Sequence, residues 1–123
     1  MNPPDTGPLT RERAAEILRG GDPVAMAHAL VAIALNEPDR RWVQAECTRL
    51  STHADANLRR LSAVCIGHLG RLHGEVDRAA AESLLRRLAA DPDAEVRGGV
   101  EDALGDLEVF LGWCPDVPVP PPA

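Results

Sequence analysis

Lysine and tyrosine are absent from this 123-residue chain, and Phe and Trp supply only Trp42, Phe110 and Trp113. A core cannot then rest on aromatic packing. It has to come from Leu, Ala, Val and Ile, a set that favours helices over a β-sandwich, and the 45% apolar share is enough to fill one. The missing lysine means that all 13 basic residues are Arg, which reads as genome composition rather than function. Cys47, Cys65 and Cys114 are odd in number, widely separated and form no CxxC, so neither a disulfide framework nor a thiol metal knuckle is expected. Cys47 and Cys65 lie in apolar helical contexts, where a small buried thiol is the common case. No run is long enough to span a bilayer, and MNPPDTGPLT has no basic or apolar leader region. The expectation is a reduced, cytoplasmic protein of one domain.

The net charge of −6 is unevenly spread. Residues 74–123 hold four Arg against eleven acids, whereas residues 53–73 hold three Arg against one. An acidic half of this kind repels nucleic acid and anionic membrane and attracts cationic partners. Plain solubility is the competing explanation.

Helical spacing dominates what is present. Residues 1–9 are too rich in Pro and Gly for a helix and read as a flexible segment. Thr10 can cap a first helix that Gly20 and Gly21 stop, with Ala14, Ile17 and Leu18 on one side. Asp22-Pro23 restarts the chain, because Asp caps free N–H groups and Pro already has the helical φ. The helix that follows, PVAMAHALVAIALN, is apolar nearly all round and is expected between neighbours. A third helix is expected from Pro38, a fourth over about 55–72, a fifth from Val76 and a sixth over about 93–111. The tail 112–123, WCPDVPVPPPA after Gly112, reads as mobile with polyproline character. Trp113 is expected to fold back and cap the exposed end of the stack. The fold class is all-α, with three antiparallel pairs in a solenoid domain over 10–111.

A repeat supports this division. ADANLRRLSAVCIGHL at 54–69 aligns with PDAEVRGGVEDALGDL at 92–107 with an offset of 38 residues, a period of the solenoid class. Asp55 meets Asp93, Leu58 meets Val96, Arg59 meets Arg97, Gly67 meets Gly105 and Leu69 meets Leu107. These stretches resemble the HEAT repeat, in which an acidic turn precedes a Val-Arg pair and a small-residue helical core. The resemblance implies a short right-handed α-solenoid of about three HEAT-like helix pairs. It also implies that Asp55, Arg59, Asp93 and Arg97 form a structural ladder between successive units. Gly67 and Gly105 are expected at close helix approaches.

The acids of 91–107 raise the question of chemistry. On a helical wheel Glu95, Asp102 and Asp106 share one flank of the sixth helix, while Glu101 and Glu108 form a second exposed stripe. A general acid and base need carboxylates in unlike environments within a cleft, and nothing in the pattern isolates one. His28, His53, His68 and His73 offer no pair at the helical spacing that zinc requires. No GxSxG, Cys–His context or glycine-rich nucleotide loop is present. Arg40, Arg41, Arg49, Arg59, Arg60 and Arg71 make a modest basic region, but a HEAT-like glycosylase would need base-stacking aromatics as well. No enzyme, cofactor, metal, nucleic-acid or membrane role is therefore expected.

The offset places Asn57, Val64 and His68 beside Glu95, Asp102 and Asp106. A partner-facing surface of His68, Glu95, Asp102, Asp106, Glu101 and Glu108 is the resulting expectation. NEPDRRWVQAECTRL, followed by LSAVCIGHLGRLHGEVD, is similar to small HEAT-like bacterial immunity proteins of polymorphic-toxin and contact-dependent inhibition systems. That resemblance implies a protein that binds and neutralises a cognate toxin domain, a cationic nuclease being the natural target of an acidic surface. The alternative is a generic HEAT-repeat scaffold or adaptor for another cytoplasmic protein.

Overall fold

A computed structural model of the protein describes residues 9–118. Most of the N-terminal segment expected over 1–9, and the end of the tail beyond 118, lie outside the described residues. The described chain is all-helical, with six helices and no strand. They are α1 (Arg11–Leu18), α2 (Pro23–Asn36), α3 (Arg40–Leu50), α4 (Ala56–His73), α5 (Arg78–Ala89) and α6 (Ala94–Leu111).

Each helix starts on an oxygen-bearing cap: Thr10, Asp22, Asp39, Asp55, Asp77 and Asp93 each accept a hydrogen bond from a first-turn N–H. The caps explain why α3 and α5 start two residues later than Pro38 and Val76 suggest. Asp39 and Asp77 stay outside the helical conformation so that their carboxylates can meet the Trp42 and Ala80 N–H groups. Such a cap is worth about 1 kcal/mol relative to Ala. α4 and α6 end on Gly74 (φ 72°) and Gly112 (φ 60°), the left-handed turns that a Cβ disfavours.

Consecutive helices pack as pairs, and a second set of contacts joins α2 to α4, α4 to α6 and α3 to α5. The second helices of the pairs thus form one layer. The core lies between the layers, with Leu18, Leu30, Ile33, Val43, Leu50, Leu58, Ile66, Leu69, Leu84, Leu85, Leu88 and Leu107 fully buried. Each such side chain contributes about 1.5–3 kcal/mol of transfer free energy. Cys47 and Cys65 are buried there too. The Cys47 thiol is pushed well up, first by its hydrogen bond with Cys65 and then by burial, which leaves it inert at neutral pH.

Two parts differ from the sequence reading. α2 buries Met26, Ala27, Ala29, Leu30, Ile33 and Ala34, but leaves Val24 66% and Leu35 44% exposed, with His28 exposed beside them. It belongs to the first pair: α1, α3 and α4 pack against it, and the side bearing Val24, His28 and Leu35 stays open among the described residues. The tail is ordered through 112–118. The Trp113 N–H donates to the Leu107 carbonyl (3.3 Å), and its half-buried indole lies 5.0 Å from the Arg78 guanidinium. Further on, the Asp116 N–H donates to Glu82 (2.6 Å), Arg86 holds the Asp116 carbonyl (3.0 Å), and Val117 packs on the core. This strap covers α5 with Trp113 folded back against Arg78, and so it does not cap the exposed end of the stack as expected. Side chains of α5 and one internal hydrogen bond, from the Val117 N–H to the Pro115 carbonyl (2.9 Å), hold the strap.

Candidate protein-binding surface

The surface is built on the seam between α4 and α6. These helices run parallel: Gly99 meets Arg60 and Val64, Gly67 meets Ala103 and Asp106, and Gly70 meets Leu107 and Leu111. Facing positions increase together and stay near the 38-residue offset of the repeat. The approach is close because Cβ atoms are missing. A Cβ on Gly67 would lie 3.1 Å from the Ala103 Cα, and one on Gly99 would lie 2.9 Å from the Arg60 carbonyl oxygen. Gly67 is thus where the repeat placed it. A Cβ on Gly105, its counterpart, would meet nothing within 4 Å among the described residues. It occupies the side of α6 that a further unit would cover, and α6 is the last rod among the described residues.

Arginine ties fix the seam. Arg59 grips Asp91 with two donors (Nε to Oδ2 2.8 Å, Nη2 to Oδ1 3.3 Å) and donates through Nη1 to the carbonyls of His53 (3.0 Å) and Ala54 (2.9 Å). Arg97 donates to the Asp91 carbonyl (2.7 Å), and Asp91 accepts from the Asp93 N–H (2.9 Å). Successive units are therefore joined through Asp91, while Asp55 and Asp93 cap their own helices. The aspartate that closes the tie stands two residues before the one the repeat pattern singles out. Its only sequence signal is the doubled acid of Asp91-Pro92-Asp93. Arg87 reaches the Ser51 hydroxyl across the same boundary. Gln44 clasps the backbone of Asp77 with both amide atoms (2.8 and 2.9 Å).

These ties sort the acids of the C-terminal half. Asp77 and Asp93 are caps, Asp91 is the clasp, Glu75 pairs with Arg40, and Glu82 and Asp116 anchor the strap. Glu95, Glu101, Asp102, Asp106 and Glu108 are what remains. Among the described residues none of these five carboxylates enters a salt bridge or accepts a hydrogen bond from protein. All five stand on α6. Glu95, Glu101 and Asp102, together with Asn57, Arg60, Gly98 and Gly99, line a groove of about 500 Å³. Arg60, the cation within that groove, is held by the Asn57 side chain (3.1 and 2.9 Å) and not by the acids.

His68 lies half-buried on α4, its Nδ1 3.2 Å from the Arg71 guanidinium and Asp106 across the seam. Burial, reinforced by Arg71, lowers its pKa against the opposing pull of Asp106. The ring is neutral at pH 7, so it does not compensate the carboxylates. The arrangement is one of rigid charges on helices, suited to steering and holding a cationic surface. No group of three His, Cys, Asp or Glu side chains among the described residues could hold a metal ion. No helix among them is long and apolar enough to cross a membrane. On the opposite layer a larger groove, about 670 Å³, runs along α3 and α5 past Arg40, Arg41, Gln44 and Thr48.

The described chain is thus all-helical, with stacked helix pairs and five carboxylates on α6 that have no protein partner among the described residues. No protein-family model matches the chain, and no curated protein sequence matches it. Among solved structures it is similar to a chain in the crystal structure of a CDI complex from Cupriavidus taiwanensis LMG 19424. The identity is 31% and the TM-score 0.73, over 89% of this chain and 97% of that one. The chain belongs to the same family as that protein.

Proposed function

We propose that this protein is an immunity protein: it binds a cognate bacterial toxin domain in the cytoplasm and neutralises it, without catalysing a reaction. The observation that carries this reading is the likeness, along nearly the whole of both chains, to a component of a CDI complex. The surface supports it. Five carboxylates without a protein partner among the described residues, on one rigid helix, attract a cationic protein at high on-rate and lose little entropy on binding. A toxin that acts on nucleic acid must present Arg and Lys to phosphate. A nuclease domain therefore fits α6, with Glu95, Asp102, Asp106 and His68 along the seam and Glu101 and Glu108 beside them. The stacked pairs serve as HEAT-like units, with α4 and its neighbours holding α6 in place.

Growth rescue tests the proposal. Where the adjoining upstream reading frame encodes a large secreted protein with a C-terminal toxin domain, expression of that domain should arrest cells, and co-expression of this chain should restore growth and yield a co-purifying complex. Arrest without rescue, and no complex between the purified proteins, would refute it.

A further inference from the structure

α4 receives α6 through one of its sides, which bears Arg60, Val64, Gly67 and Gly70. Advanced by the 38-residue repeat, those positions become Gly98, Asp102, Gly105 and Glu108 on α6. Among the described residues that side of α6 is bare. A Cβ built on Gly98 or Gly105 meets nothing within 4 Å, although its counterpart at Gly67 would press on a neighbouring backbone. With Glu101 and Val109, these residues occupy about 120° of the helix. Val109 is 74% exposed, and Glu101, Asp102 and Glu108 make no ion pair among the described residues. The chain also leaves this side clear on its way out. Gly112 turns it, and residues 112–118 run along α5 instead.

We infer that this side of α6 seats a helix of the partner protein, laid against α6 as α6 is laid against α4. The proposed function supplies only the identity of that partner. Gly98 and Gly105, two turns apart, let a second helix axis approach at the short end of the usual range for packed helices. The carboxylates at Glu101, Asp102 and Glu108 select a helix with Arg or Lys along both edges of its contact stripe, and Val109 gives that stripe an apolar end. A second copy of this chain is a poor occupant, because it would set one row of carboxylates against another. The partner helix thereby takes the place of the next unit of the stack.

The glycines give a test with opposite signs. Gly105→Leu and Gly98→Leu fill open space and replace a poor helix former, so the variants should melt at or above the wild-type temperature. Their affinity for the purified toxin domain of the upstream reading frame should fall at least about tenfold. Leu35→Ser, on the exposed side of α2, should stay within about twofold of wild type. Binding of Gly105→Leu within about twofold of wild type would overturn the inference. So would self-association of the free chain that Gly105→Leu abolishes, or binding that only rises when the chain is ended at Pro118, which would assign the side to residues 119–123. If wild type does not bind that domain, the proposed function fails separately. The seat is then tested with a synthetic helical peptide of arginine and alanine. It should shift the amide resonances of 98–109 in wild type and not in Gly105→Leu, and equal shifts in both would overturn the inference.

Discussion

Replacing Asp91 by Ala removes the atoms on which two units meet. Arg59 loses both carboxylate contacts, the Asp93 N–H loses its acceptor, and the backbone carbonyl that Arg97 holds is left on an unanchored turn. The Asp91 side chain is only 8% exposed and that of Arg59 18%. Breaking a buried pair from one side costs about 3–5 kcal/mol when the survivor has no other partner. Arg59 keeps the carbonyls of His53 and Ala54, so a loss of about 2–3 kcal/mol is expected. For a chain of this size that lowers Tm by roughly 6–15 °C. Asp91→Asn keeps the acceptor for Asp93 and one for Arg59, and should lose about half as much. Urea unfolding and calorimetry of the three proteins give these values. The pair also has a pH signature. The hydrogen-bonded Arg59 guanidinium, assisted by the Asp93 N–H, lowers the Asp91 pKa against desolvation. The unfolded chain then takes up its proton first as pH falls. The stabilisation is complete above the unfolded value of about 3.9 and disappears as pH drops through the folded one. Below about pH 4 wild type should therefore lose stability more steeply than Asp91→Asn. A loss under about 0.5 kcal/mol for Asp91→Ala, or parallel acid profiles for wild type and Asp91→Asn, would refute the reasoning.

Gly67→Ala should destabilise by about 1–2 kcal/mol, because its Cβ meets the Ala103 backbone. Gly105→Ala should stabilise by up to about 1 kcal/mol through helix propensity alone, and urea midpoints separate the two. His68 should titrate below the ordinary imidazole value in an NMR pH series, because burial and Arg71 both disfavour its charged form. Its contribution to stability is full above about pH 6.5 and falls as pH drops through the folded value, a slope that His68→Gln should remove. Trp113→Ala removes the stack on Arg78 and the fold-back contact. It should cost about 1–2 kcal/mol and speed amide exchange over 112–118.

The sequence carries the helices and most of the seam, because local chemistry writes both. Asp-Pro and Asp caps mark the starts, apolar spacing marks the core, and the offset from Asp55 to Asp93 gives the parallel register of α4 and α6. What it hides is whatever depends on position in the stack. Gly67 and Gly105 look alike as letters, yet one is buried under a neighbour and the other bare, because α6 is the last rod among the described residues. Gly70 and Gly99 matter as much as Gly67, but their repeat counterparts are Glu108 and Leu61, so no self-similarity marks them. α2 reads as buried on all sides for the same reason in reverse, since composition does not show that it stands in the first pair. The five α6 carboxylates are visible as acids from the start. Their significance emerges only when Asp77, Asp91 and Asp93 are subtracted as caps and clasp.

Carboxylate footprinting of the complex addresses the binding surface most directly. Carbodiimide labelling of Glu95, Glu101, Asp102, Asp106 and Glu108 is measured in the free chain and in the chain saturated with the toxin domain proposed as its partner, with Glu12 and Glu16 of α1 as reference. Strong protection of the α6 carboxylates with unchanged labelling on α1 is the expected result. Equal labelling of α6 in the free and saturated chain would contradict an interface on that helix.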